Sequence, residues 1–141
     1  MIIETALLCL AINIYHEARD QPIPGQYGVA LVTMNRAKSE ERICHETFRR
    51  KQFSWTGGVV RVQGGWKLPG HMLPRLKDPI EKDAWLRARV IAANALSGNM
   101  RDITQGADHY HRFDVSPRWA RSMKSTKRMG SHIFYRSQSA L

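Results

Sequence analysis

Cysteine is nearly absent from this chain, which has Cys9 and Cys44 among its 141 residues. Two cysteines so far apart make neither a disulfide framework nor a zinc ribbon. Cys9 lies inside an apolar run and reads as a small core residue, and a reducing cytosol at synthesis suits both thiols. Long hydrophobic runs are lacking too. The stretch Leu7–Ile14 is interrupted by Asn13 and ends at His16-Glu17, so it is too short to span a membrane. Glu4 precedes it and no basic segment does, which excludes a signal peptide; synthesis in the cytoplasm is the expectation. No GxxxxGK[ST], GxGxxG or GxSxG is present, so nucleotide binding and the serine hydrolase elbow have no support. Acidic residues are scarce, 12 against 22 Lys and Arg, for a net charge of +10. Such a chain is drawn to polyanions: nucleic acid, an anionic membrane face or an acidic wall polymer.

The length predicts one domain over residues 1–141, with enough apolar residues (43%) to bury a core. A first helix is expected from Glu4 to Ala18. The rigid turn Gln21-Pro22-Ile23-Pro24-Gly25 follows, then a second helix over 26–37 in which Gly28 and Ala30 would let another backbone approach closely. A shorter charged helix over 40–51 is next. Val59–Val62 reads as a short strand or irregular loop, and 64–77 as a loop. Asp78-Pro79-Ile80-Glu81 has the form of a helix start with a capping box, and that helix should end at Gly98. His109–His111 and His132–Arg136 read as short strands that pair in a small antiparallel sheet. Between them, Pro117–Met129 is expected as a basic helix. From Arg112 to Arg136 the chain carries seven cations against Asp114 alone.

Glu17 is the most informative residue. On a helix it shares a face with Leu10 and Ile14, and a carboxyl on an apolar face is desolvated, which raises its pKa and keeps it protonated nearer neutral pH. A protonated carboxyl in a pocket is what glycosidic bond cleavage requires of a general acid. The plain alternative is a helix-end glutamate paired with Arg19 or another base. Asn35, Gln52, Phe53, Ser54, Trp55, His109, Tyr110, His111 and Tyr135 are candidates for binding a sugar polymer, through aromatic faces and hydrogen-bonding side chains; ordinary core packing is the alternative for most of them. His109 and His111 share a strand face. With His132 and a carboxylate they offer an incomplete zinc set, and hence a rival reading as a zinc-dependent amidase. The basic C-terminal segment supports a third reading, a nucleic-acid or membrane-binding module, although no nucleic-acid-binding motif accompanies it.

Several blocks together resemble one family. They are Ala11–Arg19, Gly25-Gln26 to Asn35-Arg36, Gln52-Phe53-Ser54-Trp55, Gly106–His111, Pro117-Arg118-Trp119 and Gly130–Tyr135. In this order they resemble the SleB/CwlJ-type cell wall hydrolases, which include spore cortex-lytic enzymes and phage endolysins. The resemblance implies an α+β, mainly α, lysozyme-like domain with a small antiparallel sheet, and Glu17 as the catalytic glutamate. It implies cleavage of the MurNAc-GlcNAc bond of peptidoglycan by a lytic transglycosylase or muramidase, without cofactor or metal. Asp108 departs from the pattern, in which a small hydroxyl residue precedes the histidine. The expected partners are peptidoglycan glycan strands and, through the basic C-terminal segment, an anionic outer-membrane surface, but no nucleic acid. A monomeric endolysin reaching the periplasm after holin-type release fits the charge and the bare domain. A single carboxyl suffices for a transglycosylase; among Asp20, Asp78, Asp102, Asp108 and Asp114 no motif marks a second.

Overall fold

A computed structural model describes residues 1–49 and 54–137. Thr5 opens the first helix, its hydroxyl accepting from the Leu8 N–H at 3.2 Å. This helix, α1 (Ala6–Ala18), buries every residue from Cys9 to Tyr15. A helix buried all round belongs at the centre of the domain, and the other three pack about it. They are α2 (Ile23–Ala37), α3 (Ile43–Phe48) and α4 (Pro79–Leu96). α2 starts three residues earlier than expected, because Pro24 fits a first helical turn. At its end Lys38 takes a left-handed conformation (φ 67°), with its N–H on Met34 O.

Asp78 caps α4, accepting from the Ile80 and Glu81 N–H groups at 2.9 and 3.4 Å. The expected capping box forms only by half, since the Glu81 carboxylate accepts from the Tyr15 hydroxyl and pairs with Arg19 and Arg75. Gly98, at φ 74°, follows the last turn as anticipated.

Cys9 and Cys44 are not reduced core thiols. They form a disulfide, with Cα atoms 5.3 Å apart, tying α1 to α3. The side-by-side packing of two helices brings together residues 35 apart in sequence.

Two small antiparallel sheets flank the helices. In the first, β3 (Gly65–Lys67) lies between β1 (Ile2–Ile3) and β2 (Val60–Val62). In the second, β6 (His132–Arg136) lies between β4 (His109–Arg112) and β5 (Lys124–Met129). The β4–β6 pairing is the one expected, with His109 opposite Tyr135. The basic helix over 117–129 does not form. A 3₁₀ turn, Arg118–Ser122, leads instead into β5. The signal lay in Gly130-Ser131, a two-residue turn with Gly130 at φ 60° that folds β5 back on β6. Most of β5 is an exposed, lysine-bearing edge strand, a composition that discourages edge-to-edge pairing.

The second sheet docks on α2 at Gly28. A Cβ there would lie 2.5 Å from the Phe134 ring, so what comes close to this glycine is a side chain of the sheet and not the backbone expected. That docking delivers β4 to the end of α1.

Candidate active site

Glu17 sits in the last turn of α1, half-buried. Arg19 does not pair with it. Its guanidinium meets Glu81 at 3.2 Å and the Tyr15 carbonyl at 3.1 Å, and the two-residue offset turns it to another side of the helix. Burial pushes the Glu17 carboxyl up to about 7, opposed only by a hydrogen bond from the Tyr110 phenol. Tyr110 is supplied by β4 and is itself driven well upward by burial and by the Glu17 charge. Among the described residues no other charge acts on Glu17. The group is therefore an acid half-protonated near neutral pH, with a phenol to orient it.

One turn before Glu17, Asn13 is fully buried and satisfied: it donates to Thr33 at 3.1 Å and accepts from the Trp55 indole at 3.1 Å. Trp55 also stacks on His16, ring centroids 4.5 Å apart, and His16 hydrogen-bonds the Met72 carbonyl. The aromatic Trp55 is thereby locked beside the end of α1. Ser54 begins the same 3₁₀ turn, Ser54–Thr56. Gln52 and Phe53 lie outside the described residues.

Asn35 positions a loop. Its amide donates to Asp102 at 3.0 Å and to the Ala107 carbonyl at 2.8 Å. Asp102 also accepts from Thr104 and from the Gly106 N–H; burial alone would raise its pKa, but these donors hold it below the usual value. The loop feeds β4, so Asn35 helps set where Tyr110 enters. Asn35, Arg36, Lys38, Glu46, Arg49, Gly106, Asp108 and His109 line a cleft of about 470 Å³. Neither Glu17 nor Tyr110 lines this cleft, but Tyr110 is the next residue after His109 on β4, and the Arg36 charge acts on its phenol.

Strand alternation divides the remaining candidates. Tyr110 faces inward, 4.9 Å from His132 and 5.8 Å from Phe134. His109 and His111 face the other way, as their spacing predicts, and gather with Tyr135 around Trp119. The Trp119 ring is 5.0 Å from His109 and 5.3 Å from Tyr135. Trp119 was expected on a helix, and only the β5–β6 hairpin reveals it as part of this aromatic face. His132 is the histidine the zinc reading needed, yet it points to the inner face, buried. His111 uses both ring nitrogens, on the Arg112 carbonyl and the Tyr135 hydroxyl, and His109 Nδ1 meets Asp108 at 3.0 Å. Among the described residues no group of three or more His, Cys, Asp or Glu is placed to hold a metal.

The aspartates have other tasks. Asp78 caps α4, and Asp114 pairs with Arg112 at the surface. Asp20 is exposed and accepts from Gln21. Asp108, the departure from the family pattern, meets His109 and accepts from the Ser137 N–H and hydroxyl. Burial would raise its pKa, but these partners lower it.

Comparison with known proteins agrees with this fold. The SleB catalytic domain of Bacillus cereus superposes with a TM-score of 0.64 at 22% identity, over 93% of this chain and 89% of that one. The catalytic domain of the germination-specific lytic transglycosylase SleB of Bacillus anthracis gives 0.67 at 21% identity, over 93% of each chain. The fold is theirs: lysozyme-like, mainly helical, with small antiparallel sheets. No curated protein sequence matches the chain. The cell wall hydrolase family model matches residues 20–135, a span that starts just after Glu17 and takes in Asn35, Trp55 and Tyr110, and the chain belongs to that family.

Proposed function

We propose that this cell wall hydrolase cuts the glycan strand of peptidoglycan between N-acetylmuramic acid and N-acetylglucosamine, as a lytic transglycosylase with Glu17 as its one acid and base. The observation that carries this reading is the electrostatics of Glu17: a desolvated carboxyl with a pKa of about 7, touched by a phenol and by no second carboxylate among the described residues. As a neutral acid it protonates the bridging oxygen, and the bond to the muramic anomeric carbon breaks. The 6-hydroxyl of that muramic sugar closes on the anomeric carbon and returns its proton to the Glu17 carboxylate. No water is consumed, and a 1,6-anhydro ring results. A hydrolase would need a second carboxyl, about 5–5.5 Å away if retaining or about 6.5–9.5 Å if inverting. Asp78, Asp102, Asp108 and Asp114 are engaged elsewhere, which favours the single-acid route.

The setting we propose is that of an endolysin released to the periplasm, acting on peptidoglycan there. The Cys9–Cys44 disulfide supports action outside a reducing cytosol. The exposed cations of β5, Lys124, Lys127 and Arg128, are suited to contact with an anionic envelope, as an edge strand rather than as an amphipathic helix. Mass spectrometry of fragments released from purified peptidoglycan tests the chemistry. Anhydro-muramic ends are the expected product; reducing muramic ends would make the enzyme a muramidase, and free peptides with intact glycan would overturn the reading.

A further inference from the structure

The cleft on the Asp108-His109 side of Tyr110 is lined by three cations, Arg36, Lys38 and Arg49, and two carboxylates, Glu46 and Asp108. Glu46 is shared by Arg36 at 3.1 Å and Arg49 at 3.8 Å. Asp108 is held by His109 and Ser137. That leaves Lys38 with no ion pair among the described residues, exposed at the rim beside Arg49, whose side chain is 65% exposed. Arg36 and Glu46 form the half-buried floor; Lys38 and Arg49 form the charged mouth. Tyr110, whose phenol acts on Glu17, follows the cleft-lining Asp108 and His109 on β4, and the charge of Arg36 in the cleft acts on the same phenol.

A glycan strand whose scissile muramic linkage lies at Glu17 brings a second chemical group with it. Muramic acid carries its peptide stem on the same sugar ring that is cut, and the stem bears carboxylates. We infer that the cleft lined by Arg36, Lys38 and Arg49 binds a carboxylate of that stem, so that the enzyme selects peptide-substituted glycan over bare glycan. The inference rests on the proposed glycan cleavage at Glu17 and adds the substrate class to it. Charge-assisted hydrogen bonds from Lys and Arg suit a carboxylate, and an open mouth suits a chain that must continue out to solvent. A second cleft of about 460 Å³, lined by Glu4, Glu40 and Glu41, has the opposite charge and would repel the same group.

The test uses the whole chain on soluble uncross-linked glycan strands in three forms: with stems, with stem carboxylates amidated, and stripped of stems by an amidase. The expected result is a KM about tenfold lower for the charged stems than for the other two at low salt, an advantage that shrinks as salt screens it. Lys38→Asn with Arg49→Gln should raise KM about tenfold on charged stems and leave the stripped strands unaffected. Asn tolerates the left-handed backbone at 38, and circular dichroism checks the fold. Equal KM values on all three substrates would overturn the inference while leaving cleavage at Glu17 standing. No cleavage of any of them would overturn the proposed function, and the inference with it.

Discussion

A half-buried carboxyl and a buried imidazole both neighbour Tyr110, and burial acts on them in opposite senses. The Glu17 carboxyl is pushed up to about 7. His132 packs 4.9 Å from the Tyr110 ring and is pushed down to about 4. Desolvation is the largest cause for both, because it disfavours whichever form is charged. For His132, Arg112 and His111 add to the fall and Asp20 opposes it. The outcomes differ because the starting points do. Raising a carboxyl carries it towards working pH, where it exchanges a proton readily. Lowering an imidazole carries it away, leaving a neutral wedge behind the strand. Desolvation thus yields one group that titrates near neutral pH and one that is neutral there.

The largest expected effect separates them by activity. Glu17→Gln should reduce glycan cleavage by about 10²–10⁴-fold with the fold intact, the range for removal of a general acid. His132→Leu should leave the rate at neutral pH within a few-fold. The wild-type rate should fall as pH rises through about 7, where Glu17 loses its proton. A turnover assay from pH 5 to 9 reads both, and a Glu17→Gln enzyme that still lyses wall polymer would remove Glu17 from the mechanism.

Stability should then separate them by sign. His132 has a folded pKa below its unfolded value of 6.5, so the unfolded chain binds more protons and stability declines as pH falls below 6.5 and on through about 4. The decline should amount to about 2–3 kcal/mol, and His132→Leu should abolish it in urea melts at pH 7 and pH 4.5. Glu17 has a folded pKa above its unfolded value of 4.5. Here the folded chain binds more protons, so stability declines as pH rises from 4.5 to about 7. Glu17→Gln should therefore be more stable than wild type above pH 7, by about 1–3 kcal/mol. A Glu17→Gln protein no more stable at pH 8 than wild type would mean that the carboxyl is better solvated than its burial indicates.

The desolvated carboxyl of this pair was legible in the sequence and the desolvated imidazole was not. Glu17 falls on the apolar stripe with Leu10 and Ile14, and helical periodicity alone exposes the conflict between a carboxyl and its face. The caps at Asp78 and Gly98 are equally local, and so was the pairing of β4 with β6. His132 could not be placed without knowing which parity of β6 faces α2, a matter fixed by the docking of Phe134 on Gly28. The Cys9–Cys44 link was hidden for the same reason: it depends on α1 and α3 lying together, which neither segment encodes alone. Pro117–Met129 misled because its basic and apolar residues fit a helical face, whereas pairing with β6 across Gly130-Ser131 decided the outcome. Trp119 joined the aromatic face only as a consequence of that hairpin.

The smallest effect tests the residue that neighbours both groups. Tyr110→Phe removes the phenol that donates to Glu17 and retains the aromatic packing against His132 and Phe134. The lost hydrogen bond favoured the ionised carboxyl, so the Glu17 pKa should rise further. The alkaline limb of the rate profile should then move up by less than one unit, while the His132 stability slope stays in place. A net hydrogen bond is worth about 0.5–1.5 kcal/mol, and any stability lost by the variant should lie within that range. If the alkaline limb instead moves down, the phenol is acting on the neutral acid rather than on the carboxylate. Tyr110 would then hold Glu17 ready to donate, and its role would shift from settling the charge after bond cleavage to aiming the proton before it.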